Sequence, residues 1–468
     1  MFADYRLANS IAQLFRHIPP KQIQELYERV HEEARRRGMD YEEEDGTPRI
    51  ISLFLRPRLV DEGQRAYFYK TCMQMNAAFD KLFTLRSQEP AIRQLLPLPP
   101  EEESWFSLAP PYRKLPSINF SRWDANADFS GVGWKGGFHF FEVNGVGVGG
   151  IHYSPTVESI VHDVVFPELK KADPDLVLHK NDDARDLLLG RLQQLAKAIG
   201  RPKAHLAFIV DLRCVGGPNE FQKLAQYAAA KGFQAVCCDP RDLRLRKGEI
   251  YHKDFRIDIL YRDTVLTEFV EMEHAGEDMS AMKNAFIRNQ VVSSLAGEFD
   301  HKSCFEIFSN PQFHRFFTPL QRRFFKRHVL WTRLMREGFT TDHKGKKIDL
   351  AKYVRLRQSH LLLKPNRGFG GEGILVGERQ TGKDWHKAIA KAFAEPGEWV
   401  VQRKTVVHSK KFPVLDKQGR LRESSYNVVC GFIATPQGLA ILGRASHGQI
   451  VNVAQGGGMT AILLCQNR

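Results

Sequence analysis

The chain has 468 residues, 43% hydrophobic and 11% aromatic, and 68 Lys and Arg against 54 Asp and Glu give a formal charge of +14. That length predicts two or three lobes with packed cores, and the composition excludes a disordered protein. No apolar run approaches the roughly 18 residues of a membrane span, the N-terminus MFADYRLANS lacks a signal pattern, and seven cysteines form no CxxC pair, so the expectation is a soluble cytoplasmic protein with reduced thiols.

Residues 1–115 read as a helical N-terminal region. Ile23, Leu26, Tyr27 and Val30 recur at helical spacing, and Gly38 is placed to stop that helix. A second helix is predicted over Gln64 to Phe83. Leu95 to Pro111, rich in proline and acidic residues, reads as an extended connector that ends the region.

Residues 117–150 read as two paired strands, Ile118 to Trp123 and Phe138 to Val143, joined by a glycine-rich turn. Asp124 closes the first, and Glu142 and Asn144, two apart on the second, project from one face. Two carboxylates and a carboxamide make a hard oxygen set suited to Mg2+ that keeps waters and shares phosphate oxygens. Arg122 is suited to pair with a phosphate or a carboxylate. Glu142 lies inside the apolar stretch FHFFEV, where a carboxylate needs a cation or donors to offset desolvation.

A connecting helix is predicted over 185–199. Residues 205–263 then follow a βαβ rhythm: strands at His205 to Asp211, Gln234 to Asp239 and Ile257 to Arg262, with a capping box at Asn219 to Gln222 and a basic, hairpin-like insertion before the third strand. The Gly216-Gly217 turn is either a ligand-binding crevice or a plain connection. Arg262 and Asp263 end a strand, which makes them substrate-side residues or an internal salt bridge. Lys302 opens a helix, where it either holds a phosphate or stays on the surface. The aromatic and basic residues of 312–335 fit a helix with a buried Phe and Leu face and solvated Arg and Lys, in preference to a nucleic-acid surface.

The densest signal is LLLKPNRGFGGEGILVG at Leu361 to Gly377. An apolar strand ends at Lys364, and an apolar strand returns from Ile374. Between them Gly368, Gly370, Gly371 and Gly373 allow positive φ, and they either let backbone N–H groups approach an anion or serve only the turns of a mobile hairpin. The spacing is neither a P-loop nor a dinucleotide fingerprint. A helix near Trp385 to Phe393 leads to the strand EWVVQRKT, whose polar end, Gln402 included, suits an adenine slot. Strands Tyr426 to Ala434 and Leu439 to Arg444 follow. Asn452 and Gly456 to Gly458 then form a second loop able to approach phosphates, and Arg444 ends its strand facing the same region.

Together these pieces resemble the ATP-grasp superfamily. The acidic strand pair precedes the glycine hairpin by more than two hundred residues. That order is similar to the circularly permuted ATP-grasp proteins related to the synthetase domain of glutathionylspermidine synthetase, whose Arg-x-Asp and Glu-x-Asn are matched by Arg122, Asp124, Glu142 and Asn144. The resemblance runs discontinuously from about residue 117 to the end. It departs after Asn144, where family members often have Ala-Asp-Thr/Ser-Pro and this chain has Gly145-Val146-Gly147-Val148.

The resemblance implies an α/β (α+β lobes) fold: a circularly permuted ATP-grasp core with a Rossmann-like, pre-ATP-grasp lobe and a helical N-terminal region. Its expected parts are residues 1–115, helical; 116–200, the metal-ligand part of the core; 201–290, the α/β lobe; and 291–468, the lid and the rest of the core. ATP and Mg2+ are the implied cofactors. Lys302 and Lys364 would contact phosphates with the hairpin Gly368, Gly370, Gly371 and Gly373, Asn452 would join them, and Gln402 would lie by the adenine. Asp124, Glu142 and Asn144 would hold Mg2+. Arg122 and Arg444, with Arg262 on the substrate side, would stabilise the transferred phosphoryl group or the oxyanion. The implied reaction is ADP-forming carboxylate-amine ligation through an acylphosphate, with carboxylate and amine substrates. A phosphotransferase or a non-catalytic nucleotide binder is the alternative. No nucleic-acid or membrane partner is expected.

Overall fold

The helix Pro20–Arg36 forms because Ile23, Leu26, Val30 and Ala34 fall on one face and are buried, and it stops at Gly38, whose φ of +68° an L side chain rarely adopts. The chain is described by a computed structural model over residues 3–43, 45–108, 118–129, 131, 133–214, 216–368, 370–416, 418–448, 451 and 457–465. Asn452 and Gly456 lie outside the described residues. None of the described helices is long and apolar enough to cross a membrane.

An eight-stranded sheet forms the centre. Its main path runs Ser52–Asp61, Gly458–Cys465, Gly438–Ser446, Leu421–Thr435, Arg122–Asn126 and His139–Asn144. The outermost pairing is parallel and joins the N-terminal region to the C-terminal strand, Leu53 opposite Met459 and Val60 opposite Leu464. Helices Ala3–His17, Pro20–Arg36 and Tyr153–Ile160 cover one end of this sheet through a core that includes Ile23, Leu55, Val157 and Leu463. The helix Glu62–Phe79 starts with a capping box between Asp61 and Gln64 and buries Phe68, Cys72 and Met75 in the largest core.

A second sheet is parallel, in the order Val291–Val292, Ile259–Arg262, Leu206–Ile209, Ala235–Cys238, with the helix Glu220–Ala230 packed on it. This is the βαβ lobe expected from the sequence. The expected capping box at Asn219 does not form, because Asn219 makes no side-chain cap bond. Glu220 instead accepts the amides of Gly150, His152 and Tyr153, at 2.6, 2.8 and 3.3 Å.

A further four-stranded sheet has Thr332–Leu334, Trp399–Arg403, Leu361–Pro365 and Leu375–Val376 in spatial order. Helices Leu350–Leu356 and Gly382–Ala394 cover it with Val354, Trp385 and Ile389. The stretch expected as an extended connector holds a helix, Pro100–Leu108. Proline at the first position and Glu101, Glu102 and Glu103 in the first turn favour a helix start, which the count of prolines obscured.

Candidate active site

Three segments far apart in the sequence meet around one cavity of about 870 Å³, lined among others by Arg122, Asp124, Glu142, Asn144, Lys364, Gly370, Gly371, Gln402 and Arg444. The central strand pair sets the register. Arg122 faces Asn144 and Asp124 faces Glu142 across the antiparallel ladder, with an irregularity after Asp124. Glu142 and Asn144 therefore share a face and reach the cavity together, as their spacing predicts.

Asp124 is 1% exposed and gripped by two guanidinium groups. Arg122 donates Nε and Nη2 to its two oxygens at 2.7 and 2.9 Å, and Arg444 donates Nη2 at 2.7 Å. Asn144 Nδ2 adds a weaker contact at 3.4 Å. Burial pushes this carboxyl up, but Arg122 and Arg444 outweigh it and hold the group at about 2. Asp124, expected as a metal ligand, holds both arginines in place through these bonds. Arg122 reaches on to the carbonyl of Gly149 at 2.5 Å. Among the described residues the buried Nε of Arg444 has no hydrogen-bond partner.

The two lysines stand on either side of Glu142. Lys302 Nζ lies 3.1 Å from Glu142 Oε1 and also donates to the carbonyl of Gly368, so it ties the acidic strand to the glycine hairpin. Lys364 is 5% exposed, with Nζ 3.5 Å from the Phe141 carbonyl and 5.2 Å from the centre of the Phe141 ring. Burial lowers its ammonium to about 8, against the pull of Glu142. The hairpin glycines Gly370, Gly371 and Gly373 take φ of +66°, +78° and +67°. Gly370 and Gly371 line the cavity, while Gly373 packs against Pro365.

Gln402 is buried, and its amide is spent on the Phe141 carbonyl and the Thr332 hydroxyl, at 3.2 and 2.9 Å. It fixes the wall, and the chain after it, Arg403 to Val407, lines the cavity alongside Phe141, Leu330, Leu362 and Val376. That apolar slot beside a stretch of irregular backbone has the make-up of a site for a flat heterocycle.

Arg262 does not enter the cavity. Its guanidinium is fully buried and consumed by Glu298 at 2.5 Å and by the carbonyls of Thr264, Ser293 and Ser294 at 2.9, 3.0 and 3.3 Å. Of the two readings of Arg262, the internal salt bridge is the one that forms. Its neighbour Asp263 lines the cavity in its place.

Sequence reasoning missed the residues that hold the hairpin down. Asn366 is 1% exposed, accepts from the Ser303 amide at 2.9 Å and donates to the Gly397 carbonyl at 2.8 Å. Its own carbonyl accepts the Lys302 amide at 2.9 Å. Arg367 forks onto the buried carboxylate of Glu102 at 2.9 and 2.8 Å. The only signal for either was a polar pair directly after Lys-Pro. The loop after Asn144 is anchored too: the Gly145 amide donates to Asp300 at 2.8 Å, and a Cβ at Gly145 would stand 2.3 Å from the Gly297 carbonyl oxygen.

Among the described residues no group of three His, Cys, Asp or Glu side chains is placed to hold a metal. Glu142 and Asn144 offer two hard oxygens at the cavity, which fits an ion that keeps most of its waters and takes the rest of its shell from phosphates.

The sequence matches no family model and no curated protein. The fold is similar to the apo structure of a glutathione synthetase-like effector from Globodera pallida. The TM-score is 0.64 at 9% identity, over 96% of this chain and 98% of that one. The two chains share a fold from end to end. A putative gamma-glutamylcysteine synthetase from Methylobacillus flagellatus (TM-score 0.38, 10% identity, 82% of this chain and 87% of that one) also matches. So does a RimK-domain ATP-grasp protein from Sphaerobacter thermophilus (0.25, 11%, 54% and 92%). At those scores neither carries an argument.

Proposed function

We propose that the protein is a circularly permuted ATP-grasp ligase that joins a carboxylate to an amine and releases ADP and phosphate. The observation that carries this reading is the convergence on one cavity of Glu142 and Asn144, the buried Lys364 and the tip of the glycine hairpin at Gly370 and Gly371. Lys302 bridges the first of these to the last. In the reading, the slot bounded by Phe141, Leu330 and Val376 takes the adenine. Lys302 and Lys364 hold the phosphates under the hairpin, and Arg122 and Arg444, oriented by Asp124, face the transferred phosphoryl group. Cations fixed in advance around developing charge supply most of the acceleration in such a transfer. Glu142 and Asn144 would hold Mg2+, which when bound neutralises charge on the phosphates.

The test is product analysis. The purified protein is incubated with Mg-ATP and a pool of amino acids and small peptides, with hydroxylamine present to trap an acylphosphate. ADP, phosphate and a hydroxamate are expected, and the mass of the hydroxamate names the acid. AMP with pyrophosphate would mean adenylation and end the proposal. The Glu142→Gln protein should lose Mg2+-dependent turnover; unchanged turnover would remove Glu142 from the metal site.

A further inference from the structure

Along the loop 147–150 the cavity has a compartment lined by an apolar group, Tyr41, Ile51, Tyr153, Leu442 and Met459, which pack in one core cluster, and by the carboxylates Glu220, Asp263 and Glu268. Gly147 lies against Asp263, Gly149 against Glu220 and Arg122, and Gly150 against Leu442. The three carboxylates are not equivalent. Glu220 is occupied by three loop amides, and Glu268 accepts the Val265 amide at 2.7 Å. Asp263 is half-buried at the cavity wall, and among the described residues its carboxylate takes part in no hydrogen bond or ion pair, while Glu268 and Glu220 raise its affinity for a proton. Beside it the Tyr261 hydroxyl, on a side chain 1% exposed, stands near Asp263, Glu220 and the Val148 amide without a partner in bonding geometry. A half-buried, unpaired carboxylate facing a cavity beside two other acidic groups costs the fold free energy unless something cationic meets it there.

The loop sequence keeps that carboxylate open. Gly147 passes over it with φ +58°, and a Cβ at this position would sit 3.1 Å from Asp263 Oδ1. Two residues of the apolar wall, Tyr41 and Ile51, come from a part of the chain the sequence left without a role, while Tyr153, Leu442 and Met459 come from a helix and two strands of the central sheet. The strands Asp40–Glu42 and Pro48–Ile50 pair with each other, and Tyr41 and Glu42 pair with Pro218 and Gly217 of the α/β lobe. Lys223 to Asp40 at 2.8 Å pins this hairpin beside Tyr41.

We propose that this compartment is the acceptor subsite, taking a primary ammonium on Asp263 and an apolar side chain against Tyr41, Ile51, Leu442 and Met459. The word acceptor rests on the ligase reading; the binding chemistry does not. A carboxylate substrate is repelled from this end by three acidic groups and drawn to Arg122 and Arg444 at the centre. The N-terminal hairpin thereby becomes the element that sets which amine is accepted.

The experiment is calorimetric titration of the full chain, with Mg2+ and a non-hydrolysable ATP analogue present, using ethylamine, butylamine and hexylamine as probes. Burial of about 0.8 kcal/mol per methylene corresponds to roughly fourfold per group at most, so hexylamine is expected to bind at least about tenfold tighter than ethylamine. Asp263→Asn should weaken all three amines by about tenfold or more. Ile51→Ala and Met459→Ala should reduce the preference for the longer chain and leave ethylamine unchanged. Equal affinity for ethylamine and hexylamine in the parent protein overturns the proposal, and so does amine binding indifferent to Asp263→Asn. Should that variant fail to fold, the chain-length series on the parent and the Ile51 variant still decides. The hydroxamate assay separates the two readings. Hydroxamate without amine binding leaves a ligase whose acceptor lies elsewhere; amine binding without hydroxamate keeps the subsite and removes the ligase.

Discussion

Asp263 should make the protein less stable than it need be, in a pH-dependent way. Burial, followed by Glu268 and Glu220, pushes its carboxyl up to about 7 from an ordinary value of 3.8. A raised carboxyl binds its proton more tightly in the folded than in the unfolded state. The folded protein therefore carries little penalty below about pH 4, a growing one from 4 to 7, and the full one above 7. The full shift corresponds to about 4 kcal/mol. That is a ceiling, since the carboxyl faces a cavity that water can enter, and a gain on the order of 1–2 kcal/mol is expected when Asp263→Asn removes the charge. The carboxamide has nearly the same shape, and any hydrogen bond it fails to make costs the same at every pH. The difference between pH values therefore isolates ionisation. Urea unfolding of both proteins at pH 8 and pH 5 should show the variant gaining more at pH 8. An equal difference at both values, or a variant that is relatively less stable at pH 8, would refute the reasoning that Asp263 is an unpaired, half-buried charge.

Arg262→Met should leave Glu298 buried without its cation and lower stability by about 3–5 kcal/mol in denaturant unfolding; full stability with lost turnover would return Arg262 to the chemistry. Lys364, lowered to about 8 by burial against Glu142, is partly neutral in the free protein above that pH and should take up a proton when nucleotide arrives. Calorimetry at pH 8.5 in two buffers of different ionisation enthalpy should detect that proton, and Lys364→Ala should abolish it; no uptake in the parent means the lysine does not meet the phosphates. Asn366→Ala removes the bonds to Ser303 and Gly397 and should cost about 2 kcal/mol, with faster amide exchange across 361–376 and weaker nucleotide binding; unchanged exchange there would show that the hairpin is held by other means.

The parts of the site that were legible in the sequence are those written locally. The Glu142 and Asn144 pair shares a face because a strand alternates, and the hairpin shows itself because four glycines between apolar runs have few other uses. What was not legible depends on pairing across the chain. Ser52–Asp61 reads SLFLRPRLVD, with a proline inside, and it becomes a strand because it lies parallel to Gly458–Cys465, some four hundred residues on. The bond from Arg444 to Asp124 could not be read because the two are 320 residues apart. Which of Arg262 and Asp263, both read as substrate-side or salt-bridged, meets the cavity is a matter of parity. Adjacent residues at a strand end point to opposite sides, and when both are charged the sequence does not say which meets the core and which the cavity.

The same limit applies to charge. The formal charge of +14 pointed to anionic partners, and the centre of the cavity, with Arg122, Lys364 and Arg444, agrees. The acidic group does not: Glu220, Asp263 and Glu268 also line the cavity, and Lys223, on the helix that Glu220 begins, is already paired with Asp40. Under the proposed ligation one reactant arrives negative and the other positive, so each would have its own end. A whole-chain sum averages that division away. The loop 145–150 runs between the two groups, with Gly147 against Asp263 and Gly149 against both Glu220 and Arg122. Placing a side chain there tests the division directly. Gly149 has ordinary φ, and a Cβ on it would lie 3.7 Å from Glu220 Oε2 and 3.8 Å from Arg122 Nη1. Gly149→Ala should therefore fold within about 0.5 kcal/mol of the parent, while narrowing the passage between the two ends and weakening amine more than nucleotide binding. Equal weakening of both would mean that the loop does not divide the cavity.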